Sequence, residues 1–252
     1  VVPGRTEATY QRDIKGIPEW LAEQEFPRNE KEALSAPKTL GYFPFDVIEK
    51  HYEPRCKDPI EVRFGGTVRI WRPPLTTRKF VFAVDPSEGK EDPAVGIIGD
   101  ATEDVACFNG RISVEEQAKI IWDLYKEYNK PLMVVENNAH CGGELVEKLK
   151  TLGVTNWYYA VTDKEHKKPG INTGPNRDMI LTHYAESFNL KQREMPILDC
   201  IRQHYDFAWI NGKPQAVKGK HDDWVMCEAI LGQGLKVAQP QGITVSHWQY
   251  RG

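Results

Sequence analysis

The chain has 252 residues, of which 40% are hydrophobic and 27% are charged, and its formal charge is −3. This composition is typical of one globular domain, or of one domain with an appendage, and it can bury a substantial core. It excludes binding to nucleic acid through overall charge, so any such binding needs lysines and arginines that are clustered locally.

The cysteines and the absence of long apolar runs restrict the compartment. Five cysteines are scattered without a paired motif, which argues against a disulfide framework and structural zinc and favours a reducing compartment. No run of about 18 apolar residues and no signal peptide is present, so we expect a soluble protein that is not exported. The first residue is Val1 rather than Met, as expected of a fragment or a processed product.

Residues 1–75 are rich in proline and charge and show no dense pattern, so we interpret them as an appendage or linker. Short helices are predicted at 17–25 and 29–36, with a third over 45–51. Residues 63–74 predict a strand or hairpin closed by two prolines.

A denser apolar pattern begins at residue 79. The run 79–85 ends in Asp85 and is typical of a strand covered on both faces. Strands at 93–100 and 104–112 follow after short turns, which predicts an antiparallel meander. Residues 113–129 then predict an amphipathic helix that begins with a capping box.

The second half continues with an apolar strand, 130–136, that ends in Glu136. The elements predicted after it are a helix at 143–153, a strand at 156–161, helices at 177–192 and 196–206, a hairpin at 207–217, a helix from 222 that finishes at 232–234, and a strand-like tail at 243–250. This order predicts an α/β or α+β domain with a mixed sheet flanked by helices.

Acidic residues stand where buried elements begin or end. Asp85 and Glu136 follow two apolar strands, at the edge where open α/β sheets usually bind ligands. Asp222 and Asp223 open a helix, whose dipole stabilises ionised carboxylates. Each acid taken alone is more often a turn or cap residue. Taken together they predict a site for Mg²⁺ or Mn²⁺, and two such ions about 3.5–4 Å apart would promote hydrolysis of a phosphodiester.

Three segments, 80–99, 132–149 and 219–232, resemble the nuclease domain of the large terminase subunit, the DNA-packaging motor of tailed bacteriophages. Residues 19–34 resemble the end of that family's ATPase domain, so the resemblance covers most of 19–235. It implies an RNase H-like fold and a metal-dependent endonuclease that cuts concatemeric double-stranded viral DNA with little sequence specificity.

The resemblance also implies roles for individual residues. Asp85, Glu136 and the pair Asp222 and Asp223 would be the catalytic metal ligands. Adjacent helix residues point about 100° apart, so one of the pair binds directly, and we favour Asp223. Glu88 and Asp92, in the acidic turn after the first strand, and His221 would support these ligands. Taken alone, a solvated loop position is more common for Glu88 and Asp92, and an ordinary surface position for His221.

One motif of a complete terminase is missing. None of the three Gly-Lys pairs in the chain completes the phosphate-binding sequence G-x-x-x-x-G-K-[ST], so we expect no ATPase activity from this chain. The predicted division is 1–75 as a remnant of the ATPase domain, 76–236 as the nuclease domain and 237–252 as a tail.

Basic residues near the acids are candidates for binding the DNA backbone. They are Lys167, Lys168, Arg177, Lys213, Lys218 and Lys220. For each of them a solvated surface position is an equal alternative, and Arg177 could instead pair with Asp178 or Glu186. The other expected partners are the viral portal, the small terminase subunit and the ATPase domain of the same full-length protein, at the procapsid in the host cytoplasm.

Two other functions stay open at this point. A Holliday-junction resolvase or a ribonuclease H would share the fold, although the N-terminal segment and the His-Asp-Asp helix start argue against ribonuclease H. A non-catalytic module that docks on the portal would use the same acids only as caps. Cleavage assays with metal or chelator, and with branched or linear DNA, separate these functions.

Overall fold

The computed structural model describes residues 7–13, 15, 41–138, 140–160 and 168–238. The strands are β1 (Glu61–Arg63), β2 (Val68–Ile70), β3 (Val81–Asp85), β4 (Ala94–Gly99), β5 (Asp104–Gly110), β6 (Leu132–Val135), β7 (Phe207–Ile210) and β8 (Lys213–Ala216). The helices are α1 (Glu7–Asp13), α2 (Val114–Glu127), α3 (His140–Leu152), α4 (Arg177–Asn189), α5 (Leu198–Tyr205) and α6 (Asp223–Ala238).

Six of the strands form one mixed sheet in the order β1-β2-β5-β4-β3-β6. Strands β3, β4 and β5 are antiparallel neighbours, as the short turns between them predict. Strand β6 returns through α2 to lie parallel to β3. The predicted mixed sheet, a meander with a parallel strand and flanking helices, is therefore confirmed, and β7 and β8 form a separate hairpin.

Both faces of the sheet are covered by helices, which explains the continuous apolar runs. Phe82 and Val84 point towards α2 and α3. Val81 and Ala83, which alternate with them, point towards α4, α5 and α6. All four side chains are fully buried, and burying each large apolar side chain contributes about 1.5–3 kcal/mol. Strand β3 therefore stays buried until Asp85, where the sheet ends.

Helix α2 begins with the capping box that its sequence predicts. The Ser113 Oγ accepts a hydrogen bond from the Glu116 N–H at 3.3 Å, and the Glu116 carboxylate accepts one from the Ser113 N–H at 2.9 Å. Two otherwise unpaired N–H groups are thereby satisfied, which fixes where the crossover helix starts.

Helix α6 is longer than predicted. The glycines at 232–234 do not end it, and it continues to Ala238. A Cβ on Gly234 would lie 2.5 Å from Cγ1 of Val81 and 2.7 Å from Cγ2 of Val134. The glycine thus allows the helix to pack closely on β3 and β6. The predicted helix end was wrong because Gly234 serves this packing and does not terminate the helix.

Several other predicted elements and boundaries differ from those in the structure. Of the strand predicted at 156–161, the structure describes 156–160, and these residues form isolated bridges at Trp157 and Tyr159 instead of a continuous strand. Strands β1 and β2 lie before residue 76 yet belong to the main sheet, so the sheet crosses the predicted domain boundary, and the division itself stays a prediction. The helix predicted at 45–51 is formed and continues to residue 55. It consists of an α-helical turn at 45–47, a π-helical turn at 48–52 and a 3-10 turn at 53–55.

Some predictions fall outside the described residues. They are the helices at 17–25 and 29–36 and the strand-like tail at 243–250. Among the residues that are described, no helix is both long enough and apolar enough to cross a membrane.

Candidate functional site

Strands β3 and β6 bring the first two predicted acids side by side. The parallel register pairs Val84 with Val135, and the Glu136 N–H donates to the Val84 carbonyl oxygen at 2.9 Å. Asp85 and Glu136 directly follow this last pair, so they lie side by side at the ends of two neighbouring strands. Burial, and then the nearby charge of Glu136, hold the pKa of Asp85 well above its usual range.

The first turn of α6 adds the third acid. Asp223 and Asp85 line one cleft of about 480 Å³ beside the 86–93 turn. Burial, followed by the charge of Asp222, raises the pKa of Asp223 to about 6. Its Oδ2 is buried and has no hydrogen-bond partner among the described residues. Acids from β3 and α6, distant in sequence, thus face the same space.

Asp222 is engaged differently from Asp223. Its Oδ2 accepts a hydrogen bond from Nη2 of Arg177 at 2.5 Å. The predicted alternative, in which Arg177 pairs with Asp178 or Glu186, was therefore wrong. Arg177 pairs with Asp222 instead because the start of α4 packs beside the start of α6. With Asp222 neutralised by a protein cation, Asp223 is the member of the pair that is left facing the cleft.

Glu136 is held by two residues that the sequence did not single out. Its Oε1 accepts hydrogen bonds from the Thr173 hydroxyl and, at 2.8 Å, from Nδ2 of Asn138. Asn138 also donates to the Thr173 hydroxyl and accepts from the Thr173 N–H at 2.7 Å. No local signal identifies Thr173 as a partner of Glu136, since 37 residues separate them.

The three residues predicted to support the ligands lie around the same cleft. Glu88 and Asp92 line it and are exposed. Glu88 pairs with Lys90 at 2.7 Å. Nδ1 of His221 lies 3.0 Å from Asp92 Oδ1 and 4.0 Å from Asp223 Oδ2, so His221 connects the turn to the start of α6.

The predicted DNA-binding residues are distributed around the site. Lys213, Lys218 and Lys220 are exposed on and after the β7–β8 hairpin, which leads directly to α6. Lys220 pairs with Asp206 at 3.2 Å. Lys168 is exposed in another cleft, next to the 169–172 segment, and Lys167 lies outside the described residues.

The acids have the chemistry that a hard divalent cation prefers in its ligands. In the described part of the chain, no three His, Cys, Asp or Glu side chains already form a set that could hold a metal ion. Burial, followed by repulsion from a neighbouring carboxylate, raises the pKa of Asp85 and that of Asp223. The Oδ2 of Asp223 is buried and has no hydrogen-bond donor, and a bound cation would satisfy it.

No protein-family model matches the chain, and no curated protein matches it. Solved structures do match in fold. The large terminase nuclease from thermophilic phage G20c with bound magnesium superposes with a TM-score of 0.60 at 15% identity, over 75% of this chain and 95% of that chain.

The Thermus phage P74-26 large terminase nuclease domain superposes with a TM-score of 0.55 at 14% identity, over 73% of this chain and 93% of that chain. The large terminase of a thermophilic bacteriophage in complex with ADP has a TM-score of 0.51 at 10% identity, over 91% of this chain and 52% of that chain. The chain therefore has the fold of phage large terminase nucleases, which is the RNase H-like arrangement that the resemblance in sequence implies.

Proposed function

We propose that this chain is the divalent-metal-dependent endonuclease of a viral DNA-packaging terminase, which cuts concatemeric double-stranded DNA with little sequence specificity. The observation that supports this most is the convergence of Asp85 and Asp223 on one cleft, with Glu136 beside Asp85. The shared fold with phage terminase nucleases, which have been solved with magnesium, cobalt or zinc, supports the same proposal.

Asp85, Glu136 and Asp223 would hold the metal, two Mg²⁺ or Mn²⁺ ions in our proposal. When bound, such ions activate water and stabilise the leaving oxygen of a phosphodiester. Asp85 supplies an oxygen at the end of a rigid buried strand. Asp223 supplies the oxygen that lacks a donor, at the positive end of α6. Both acids are thus held by elements that pack in the core, which limits their movement.

The other residues of the site would orient these acids or the substrate. Asp222, held by Arg177, would fix the start of α6. His221 would link the 86–93 turn to the same helix through Asp92. Lys213 and Lys218, which are exposed and have no ion pair with a described residue, would bind DNA phosphates. Further phosphate contacts would come from Lys220, Lys168, Lys167 and Arg177.

In the complete motor the nuclease would act with an ATPase domain of the same protein, the portal and the small terminase subunit, inside the host cell. The similarity to a full-length large terminase in complex with ADP, of which this chain spans 52%, supports the ATPase partner. The chain itself lacks a phosphate-binding loop, so we expect no ATP hydrolysis from it.

The test is nicking of supercoiled plasmid DNA by the full chain with Mg²⁺, Mn²⁺ or EDTA. We expect nicking only with metal. Asp85→Ala and Asp223→Ala should each reduce the rate of nicking. The reduction should exceed the roughly 10–100-fold loss that follows when a residue hydrogen-bonded to a metal ligand is removed. Asp123→Ala, which removes an exposed carboxylate of α2 that pairs with Lys126, is the matched control and should leave the rate unchanged.

Three outcomes would contradict the proposal. A chain that cuts four-way junctions much faster than linear duplex is a resolvase. A chain that binds the portal tightly but never nicks DNA with either metal is a docking module. Cleavage that persists in EDTA, or in Asp85→Ala, is incompatible with the carboxylates as metal ligands.

A further inference from the structure

We infer that Thr173 and Asn138 are positioning residues that clamp one oxygen of Glu136 and leave the other free for the metal ion. This inference rests on the proposed function and identifies residues on which metal binding by this site depends. The two residues do not touch Asp85 or Asp223 in the described contacts, so they would act only through Glu136.

The clamp is a closed ring of hydrogen bonds among three side chains. Thr173 accepts from Asn138 and donates to Oε1 of Glu136, and Asn138 donates to the same Oε1 at 2.8 Å. A carboxylate oxygen that receives two donors is well satisfied, whereas Oε2 receives none of the described hydrogen bonds of this ring. Donors to an ionised carboxylate form stronger hydrogen bonds than neutral pairs do.

The backbone makes the clamp rigid. The Ile171 N–H donates to the Val135 carbonyl oxygen and the Asn137 N–H donates to the Ile171 carbonyl oxygen, so the 169–173 segment runs beside the end of β6. Thr173 is only 2% exposed, and its own N–H is bonded to Asn138 at 2.7 Å. The Thr173 hydroxyl is therefore fixed by the fold and cannot follow Glu136 if that side chain moves.

Glu136 benefits from such a clamp because its side chain has one more rotatable bond than aspartate and lies beside Asp85. The two carboxyl groups are within hydrogen-bonding reach of each other, so a fixed Glu136 also limits where the Asp85 side chain can lie. Fixing the longer side chain before the metal arrives removes its rotamer entropy from the cost of binding. The clamp thus holds Glu136 in position before a metal ion binds.

The experiment measures Mn²⁺ binding to the full chain by isothermal titration calorimetry, with no DNA present. We expect Thr173→Val, which removes the hydroxyl at nearly constant volume, to weaken Mn²⁺ affinity by about 10–100-fold. Thr173→Ser keeps the hydroxyl and should restore most of the affinity. Thr151→Val, which removes an exposed threonine hydroxyl bonded to Glu147 on α3, is the matched control and should bind like the wild type.

The outcomes separate this inference from the proposed function. A wild-type chain that binds Mn²⁺ and nicks DNA, with a Thr173→Val variant that binds Mn²⁺ equally well, overturns the clamp alone. Equal loss in Thr173→Val and Thr173→Ser overturns it too, because the hydroxyl would then not be the cause. A wild-type chain that neither binds Mn²⁺ nor nicks DNA overturns the function and the clamp together. If Thr173→Val does not fold, Asn138→Leu replaces it, with the same expected loss and the same contrary result.

Discussion

Two groups of acids lie along α6, at opposite ends of the same sheet, and they are neutralised in different ways. At the carboxyl end of β3, Asp85 and Asp223 face a cleft. At the other end, Asp104 and Glu228 are fully buried against Arg193, which donates to Asp104 and, at 3.2 Å, to Glu228. The buried group contains its own cation, whereas the cleft places its acids together without one between them.

The difference shows how an acid group that maintains the fold can be told from one that serves a ligand. Burial opposes the charge of Arg193, but Asp104 and Glu228 raise its pKa above the ordinary value, and the guanidinium stays charged. In the cleft, the cation that is present, Arg177, binds the neighbouring Asp222, and no lysine or arginine of the described residues pairs with Asp85 or Asp223. Internal neutralisation is typical of structural ion pairs, and its absence favours an external cation.

The largest expected effect is on the buried group. Arg193→Met should lower the free energy of unfolding by about 3–5 kcal/mol, because Asp104 and Glu228 would lose their cation inside the core. Urea denaturation followed by circular dichroism measures this loss. Arg78→Met removes a half-exposed arginine from Asp100 and should cost less than about 1 kcal/mol. An Arg193→Met variant as stable as the wild type would show that the two acids do not need their cation.

A smaller effect concerns another buried group, which is neutral instead of ion-paired. His204 is fully buried, and burial lowers its pKa to about 4. Its Nδ1 lies 2.8 Å from the Cys200 carbonyl oxygen and therefore donates, while Nε2 accepts from the Tyr184 hydroxyl at 2.6 Å. We expect the imidazole resonances, followed by NMR, to show a neutral ring until the pH approaches 4.

The same titration has a consequence for stability. The unfolded chain binds a proton on this histidine near pH 6.5 and the folded chain only near 4, so stability falls as the pH decreases through that window. The total contribution is about 3 kcal/mol. His204→Gln should lack this component of the pH dependence. An imidazole that protonates near 6.5 in the folded protein would contradict the expectation.

The smallest effect tests the cleft without metal. The raised pKa of Asp85 means that the folded state loses stability as the pH rises from the unfolded value of about 3.9. Asp85→Asn should therefore increase the free energy of unfolding at pH 8 in EDTA, because the buried carboxylate is replaced by a neutral amide. Thermal melts measure it, with Asp123→Asn as the control. Excess Mn²⁺ should reverse the order by stabilising only the wild type, and a variant less stable than the wild type in EDTA would refute the prediction.

The sequence by itself determined most of the sheet and helix elements and the positions of the acids. Apolar runs that end in Asp85 and Glu136 specify strands covered on both faces, and the chain order of meander, helix and strand specifies the mixed sheet. The twin aspartates at 222 and 223 marked the start of α6 within one residue. These signals are local, since apolar periodicity and helix capping depend on residues only a few positions apart.

Only the tertiary structure decided which groups meet. Thr173 donates a hydrogen bond to Glu136. Arg177 pairs with Asp222 of α6 and not with an acid of its own helix, α4. Gly234 allows α6 to pack against β3 and does not end the helix. Each of these contacts joins residues far apart in the chain, so no spacing rule predicts it. They depend on how the helices pack on the sheet, and side-chain packing is fixed by the whole core at once.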